Sequence, residues 1–338
     1  MWIVFLIIYG ILIGFYTVLR RKATEKSDVL FVLALSSTIG FLLISWGAGE
    51  AFSLHGTSIL MIFVKSILIS FSWIFELLAF KKYYISSLQP ISSIKVAISF
   101  IASIIIFSEP VFWWRFIGVA IIFTGLILLN YFDKYMFKKK YRNLLISKVQ
   151  EKNSKENVKT LNKYNGLNHP TKIIKHTKFY QYNNQTKSKA NVKQNRIQAI
   201  IFFIISCVCS ETSAILDKII LNDIAPTQMQ FWYMFFIALL LWCYIVIKCI
   251  KQKRIIIKKS DWKNWLIYLI AFILIIADQL LFRALSQPDV LVSGVSILKQ
   301  ISGIVAIIFG GILYKEPNLK YKFIFITIIL VGIVVVIV

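Results

Sequence analysis

Lys95 and Lys299 are ammonium groups set deep inside long apolar runs, each with small and hydroxyl-bearing neighbours at helical spacing. Ser92, Lys95, Ser99 and Ala102 are answered by Ser296, Lys299, Gly303 and Ala306 at a common offset of 204 residues. Spacings of 3, 4 and 3 place each set on one helical face. Two such faces turned toward each other would offer two cations and several hydroxyls to a carboxylate or phosphate. Lys95, Lys299, Ser92, Ser99 and Ser296 are therefore the expected substrate-binding residues. A competing reading has the two lysines neutralising buried carboxylates in a dry interface.

The carboxylates in question are Glu211, within Ser210-Glu211-Thr212-Ser213, and Asp278, beside Gln279. Both lie within apolar runs, where a charge costs about 2.5–3.5 kcal/mol even on lenient insertion scales and so marks a functional candidate. They are candidates for coupling to a proton or ion. Lys65 and Glu76 stand eleven residues apart, three turns along one helical face with Ser72 between them, and are expected to form a structural or gating ion pair. Glu109 and Glu316 open apolar runs, where a carboxylate favours the helix dipole and can cap free N–H groups. Tyr9, Tyr16, Trp73 and Tyr268 are candidate cavity walls.

Positioning these groups requires membrane helices. Of 338 residues, 58% are apolar and 16% charged, and the mean hydropathy is +0.73, which excludes an ordinary water-soluble domain. A bilayer core about 30 Å thick calls for about 20 apolar helical residues. Ten runs meet that need: 2–19, 28–46, 57–80, 87–107, 112–131, 197–219, 227–247, 264–284, 289–313 and 319–338. Pro90, Pro110, Pro226, Pro288 and Pro317 sit in or just before the first turn of a run, where a missing N–H costs nothing. The first run is followed, not preceded, by basic residues, so it reads as a retained helix and not as a cleaved signal.

Residues 133–196, between the two sets of five runs, are rich in Lys, Asn, Gln and Thr, and are expected to be a solvated, disordered linker. They hold 17 of the 39 Lys and Arg, so the net charge of +24 is no sign of a nucleic-acid-binding face. The stretch 138–142, with Lys138, Lys139, Lys140 and Arg142, could instead touch anionic headgroups. Odd-numbered loops carry 33 basic residues and even-numbered loops 3, which places the odd loops and residues 133–196 in the cytoplasm and both chain ends outside a cell (inner or plasma) membrane.

The chain also repeats itself. Ser108-Glu109-Pro110 with Gly125 is matched by Lys315-Glu316-Pro317 with Gly332, at an offset of 207. Two five-helix units in tandem must lie upside down relative to each other, because an odd number of crossings reverses direction. The expected fold is therefore all-α: a polytopic membrane protein of ten transmembrane helices in two inverted repeats, 1–132 and 197–338. Inverted repeats of this kind bind solutes at the bilayer midplane between the halves.

On the five-plus-five layout, and on the small, polar helix leading to Ser108-Glu109-Pro110 and Lys315-Glu316-Pro317 with the late Gly125 and Gly332, the chain resembles the drug/metabolite transporter superfamily, in particular its EamA-like ten-helix members. The resemblance covers both halves and not the linker. It implies that lysines in the fourth and ninth helices contact an anionic group, as in members that carry phosphorylated sugars or nucleotide sugars. The long insert departs from the pattern, and so does the charge count, since relatives generally keep both ends in the cytoplasm.

These readings converge on a secondary transporter of a small anionic or zwitterionic metabolite, such as an amino acid or phosphorylated sugar, working by alternating access. A flippase or exporter of a lipid-linked sugar or other amphipathic molecule is the alternative within transport, and a non-transporting membrane scaffold the alternative outside it. No enzyme is expected: the chain has no catalytic residues in a recognisable pattern, no H-E-x-x-H and no G-x-x-x-x-G-K-[ST] loop. Its three histidines are scattered and its four cysteines lie within or at the edge of apolar runs, so neither a metal site nor a cofactor is expected. The expected partners are the small-molecule substrate, the lipid bilayer and, as one assembly, a second copy in a homodimer.

Overall fold

A computed structural model describes residues 1–45, 48–54, 56–109, 112–125, 127–128, 131–132, 135, 174–252, 259–288, 290–315 and 319–337. The basic stretch 138–142 and Glu316 lie outside the described residues. Those described form helices and turns and no strand. In chain order the main helices are α1 (Trp2–Lys26), α2 (Val29–Ile44), α3 (Gly56–Lys82), α4 (Ile85–Phe107), α5 (Trp113–Gly125), α6 (Ile174–Ile220), α7 (Pro226–Gln252), α8 (Trp265–Leu285), α9 (Val292–Leu313) and α10 (Leu319–Ile337).

Among the described residues, seven helices are long and apolar enough to cross a membrane: α1, α3, α4, the Gln194–Ile220 part of α6, α7, α8 and α9. Shorter apolar helices, Val29–Ile44, Trp113–Gly125 and Phe323–Gly332, fall on the remaining three expected runs. At 1.5 Å per residue, the 16 residues of α2 span about 24 Å, short of a full hydrocarbon core. α6 begins at Ile174, inside the stretch read from composition as disordered linker. Its leading segment contains Lys, Gln and Ala, which favour helix, and it runs unbroken into the span.

Polarity is turned inside out relative to a soluble protein. Leu60, Ile105 and Ile250 face outward and exposed, whereas Lys65, Ser66, Ser72, Glu211, Asp217 and Asp278 are buried between helices. Hydrocarbon solvates apolar side chains as well as a core does, so the interior is where polar groups find partners. Many of them return bonds to their own helix: Thr17, Thr38, Ser66 and Ser70 each donate to the carbonyl four residues back, at 2.7–2.8 Å.

Contacts between the halves come in matched sets. α1 packs on α8 and α9, as α6 packs on α3 and α4; α2 packs on α8, as α7 packs on α3; and α2 packs on its own counterpart α7. α5 and α10 meet across the same axis. A Cβ added at Gly125 would fall 2.9 Å from Ile329, and one at Gly332 would fall 2.8 Å from Ile122. Ile122 and Ile329 are themselves 207 residues apart, so each contact is the mirror of the other. Ser108 (φ 50°) and Lys315 (φ 48°), each directly before its glutamate, share a left-handed backbone that costs an L-residue on the order of 1–2 kcal/mol. Such agreement at a single offset is what a pseudo-two-fold axis relating two repeats requires.

Candidate functional site

The two helices that carry the lysines are both interrupted. α4 consists of a turn at Ile85–Leu88, a 3-10 segment at Gln89–Ser93 opened by Pro90, and a regular helix from Ile94 onward. α9 is divided at Lys299, which ends Val292–Leu298 and caps Gln300–Leu313. Interruptions of this kind are tolerated at membrane depth only where the backbone lies within protein or beside a cavity.

The cavity lies between the halves and has a volume of about 140 Å³. Ser92, Lys95, Glu211, Asp278, Ser296, Lys299, Lys65 and Glu76 all line it, so eight of the nine expected site residues come together. Ser99 does not. Its hydroxyl donates to the Val292 carbonyl at 3.4 Å, because one further turn along α4 carries it past the cavity to the start of α9. Tyr9, Tyr16 and Trp73 wall the cavity as expected. Tyr268 is exposed and donates to the Trp262 carbonyl at 3.2 Å, away from it.

The expected pairing of Lys65 with Glu76 is not formed. Eleven residues on one helix separate their α-carbons by about 16 Å along the axis, and nearer partners arrive from other helices. Lys65 on α3 pairs with Asp217 on α6 at 2.9 Å, its ammonium 3.4 Å from the centroid of the Tyr233 ring and 4.9 Å from that of Phe282. Glu76 pairs with Arg20 on α1, whose guanidinium also donates to the Tyr16 hydroxyl and lies over the Tyr16 and Trp73 rings. Of these two partners, Asp217 was within reach of the sequence and Arg20 was not. Ser206, Ser210, Ser213 and Asp217 recur at spacings of 4, 3 and 4 along one face of α6, whereas Arg20 hides in a cluster that reads as a cytoplasmic loop.

Lys95 and Lys299 are held differently. The Lys95 ammonium donates to the Ser210 hydroxyl at 3.1 Å, and among the described residues neither lysine makes an ion pair within 4 Å. Glu211 accepts from the Ser296 hydroxyl at 2.5 Å, and the Ser92 hydroxyl donates to the Gln300 side chain at 3.1 Å, stitching α9 to α6 and to α4. Among the described residues neither lysine is in direct ion-pair contact with Glu211 or Asp278. Four cations (Arg20, Lys65, Lys95, Lys299) and four anions (Glu76, Glu211, Asp217, Asp278) line the cavity. Two pairs cancel directly, leaving two cations and two carboxylates in a wall of zero net formal charge.

Glu109 caps a helix, though not its own. Its carboxylate accepts from the Val292 backbone N–H and the Ser293 hydroxyl, both at 2.6 Å, and so closes the N-terminus of α9 in the opposite half. Lys218 beside it donates to the Leu285 and Gln287 carbonyls at 2.9 and 3.2 Å.

A family model for EamA-like transporters matches residues 1–131 and 197–338, the regions that contain every cavity-lining residue. No curated protein matches the chain. The chain is a member of the EamA-like transporter family, a polytopic membrane family within the drug/metabolite transporter superfamily.

Proposed function

We propose that this chain is a secondary transporter that moves a small anionic or zwitterionic metabolite by alternating access, with the solute bound between the repeats near mid-membrane. The observation that carries the reading is the pair Lys95 and Lys299. Both are half-buried, lie at interruptions in symmetry-related helices, line one cavity and form no ion pair among the described residues. A buried ammonium without a counter-ion is costly unless a mobile anion or water supplies what the protein does not. The pseudo-two-fold arrangement supports alternating access, because two equivalent halves can rock about a site that both contribute to. A cavity of about 140 Å³ has room for on the order of five water volumes, which favours a small solute over a lipid-linked sugar. The excess of basic residues in the odd loops supports an orientation with residues 133–196 in the cytoplasm.

The test is a thermal-shift screen of the purified protein against amino acids, phosphorylated sugars and nucleotide sugars, repeated with Lys95→Ala and Lys299→Ala. A ligand at 100 times its Kd stabilises by about 2.7 kcal/mol through mass action. Protection by one class of anion or zwitterion that both substitutions weaken at least tenfold is the expected result. Equal protection of all three proteins by the same ligand would remove the lysine site.

A further inference from the structure

Asp278 is the carboxylate of the cavity wall that is left without a partner. It is 7% exposed, its Oδ2 accepts no hydrogen bond, and among the described residues it makes no ion pair. Its three companions are engaged: Glu76 by Arg20, Asp217 by Lys65 and Glu211 by the Ser296 hydroxyl. Lys65, which lines the same cavity, is already held between Asp217 and the Tyr233 ring.

That neighbouring arrangement shows what such surroundings accommodate. A primary ammonium, that of Lys65, sits there between one carboxylate and one aromatic face, the geometry in which ion pairing and cation–π attraction add. Asp278 repeats half of it. Tyr9 from α1 and Tyr233 from α7 line the same cavity. Tyr233 already receives the Lys65 ammonium, so what is left over is the Asp278 carboxylate and the Tyr9 ring, with no cation paired to that carboxylate among the described residues. Lys95 and Lys299, which line the same cavity, supply the complementary excess of positive charge.

We infer that Asp278, with the Tyr9 ring of the same cavity wall, forms a binding subsite for a primary ammonium group, so that the transported solute carries an amine as well as an acid. The inference rests on the reading of Lys95 and Lys299 as the acid-binding end. It accounts for a wall of zero net formal charge that leaves charges of both signs without direct ion pairs: a zwitterion can meet both, whereas a simple anion leaves Asp278 unmatched.

The experiment compares matched probes on the purified full-length protein by thermal shift and calorimetry. Glycine, alanine, serine and threonine are each set against the acid with hydrogen in place of the amino group: acetate, propionate, 3-hydroxypropionate and 3-hydroxybutyrate. Wild type should bind at least one amino acid tenfold or more tightly than its deaminated partner. Asp278→Asn should bring that ratio close to one with the deaminated acid's affinity unchanged, and Asp278→Glu should keep part of the preference. Lys299→Ala should weaken both members of a pair alike. Relieving an unpaired buried charge should leave the unliganded melting temperature of Asp278→Asn at or above that of wild type, which separates loss of the subsite from misfolding. A ratio near one in wild type, an unchanged ratio in Asp278→Asn, or binding of none of the eight probes overturns the inference. So does an Asp278→Asn protein that keeps its ratio and loses only its response to a proton or sodium gradient. If the ratio collapses as expected but lysine substitution leaves every affinity unchanged, it is the acid-binding reading that fails.

Discussion

The ion pair between Lys65 and Asp217 should behave as a buried charge pair whose halves cannot be removed singly. Lys65 is 2% exposed and its ammonium lies 2.9 Å from the carboxylate. At an effective dielectric of about 20, Coulomb attraction at that distance comes to about 6 kcal/mol, set against a desolvation cost of several kcal/mol per ion. The net worth of the intact pair is therefore small, while breaking it leaves one uncompensated charge at about 3–5 kcal/mol. Lys65→Met should sit at the upper end of that range, because it leaves the buried Asp217 carboxylate with no cation within 4 Å among the described residues. Asp217→Leu should cost less, since the Tyr233 ring still receives the ammonium, a contact worth up to about 2 kcal/mol when desolvated. The double variant should fall within about 1 kcal/mol of wild type, giving a coupling energy of about 5 kcal/mol. Unfolding in mixed detergent micelles, followed through the nine tryptophans, measures all four corners of the cycle. Additivity within about 0.5 kcal/mol, or single variants as stable as wild type, would refute the reasoning.

Two other outcomes are expected from the same assay. Gly14→Ala would set a Cβ against the Val305 side chain and 2.9 Å from the Ser302 carbonyl, forcing α1 away from α9 just past Lys299; it should cost about 1–3 kcal/mol, whereas Gly49→Ala, with nothing within 4 Å, should be neutral. A Gly14→Ala protein as stable as the Gly49→Ala control would show that α1 and α9 are not closely packed. Glu109→Ala removes two charge-assisted caps from α9 and should cost about 2–3 kcal/mol, with Glu109→Gln losing less; equal stability of all three proteins would mean the cap is dispensable.

Periodicity and charge carried much of this architecture, for a physical reason. In a bilayer every backbone group must be satisfied within its own helix, so apolar run length converts almost directly into helix count, and an ionisable residue inside a run stands out. Lys95 and Lys299 were legible because they recur at one offset with the same neighbours. Their partners were less so. Which carboxylate meets Lys65 depends on how α3 packs against α6, and nothing local to α3 distinguishes Glu76, on its own face, from Asp217 on another helix. Arg20 was hidden because a guanidinium can reach back from a helix end and enter the cavity beside Trp73 and Glu76. Glu109 was read as a cap for the helix it opens. The left-handed turn at Ser108 is compatible with either use, and only the approach of Val292 and Ser293 from the other repeat decides between them. Ser99 matched its repeat partner in spacing, yet one turn of helix sufficed to take it out of the cavity.

The most direct test of the central claim is to remove the charge at position 299 and put it back. Cys207, Cys209, Cys243 and Cys249 are free and would first be replaced, after which Lys299→Cys is reconstituted into liposomes and treated with an aminoethyl or a sulfonatoethyl methanethiosulfonate. Exchange of the best-protecting acid or zwitterion should be lost in Lys299→Cys, return when the cationic reagent restores an ammonium in the cavity, and stay absent with the anionic one. Exchange that survives the substitution, or that responds equally to both reagents, would contradict a role for the Lys299 charge in holding the solute.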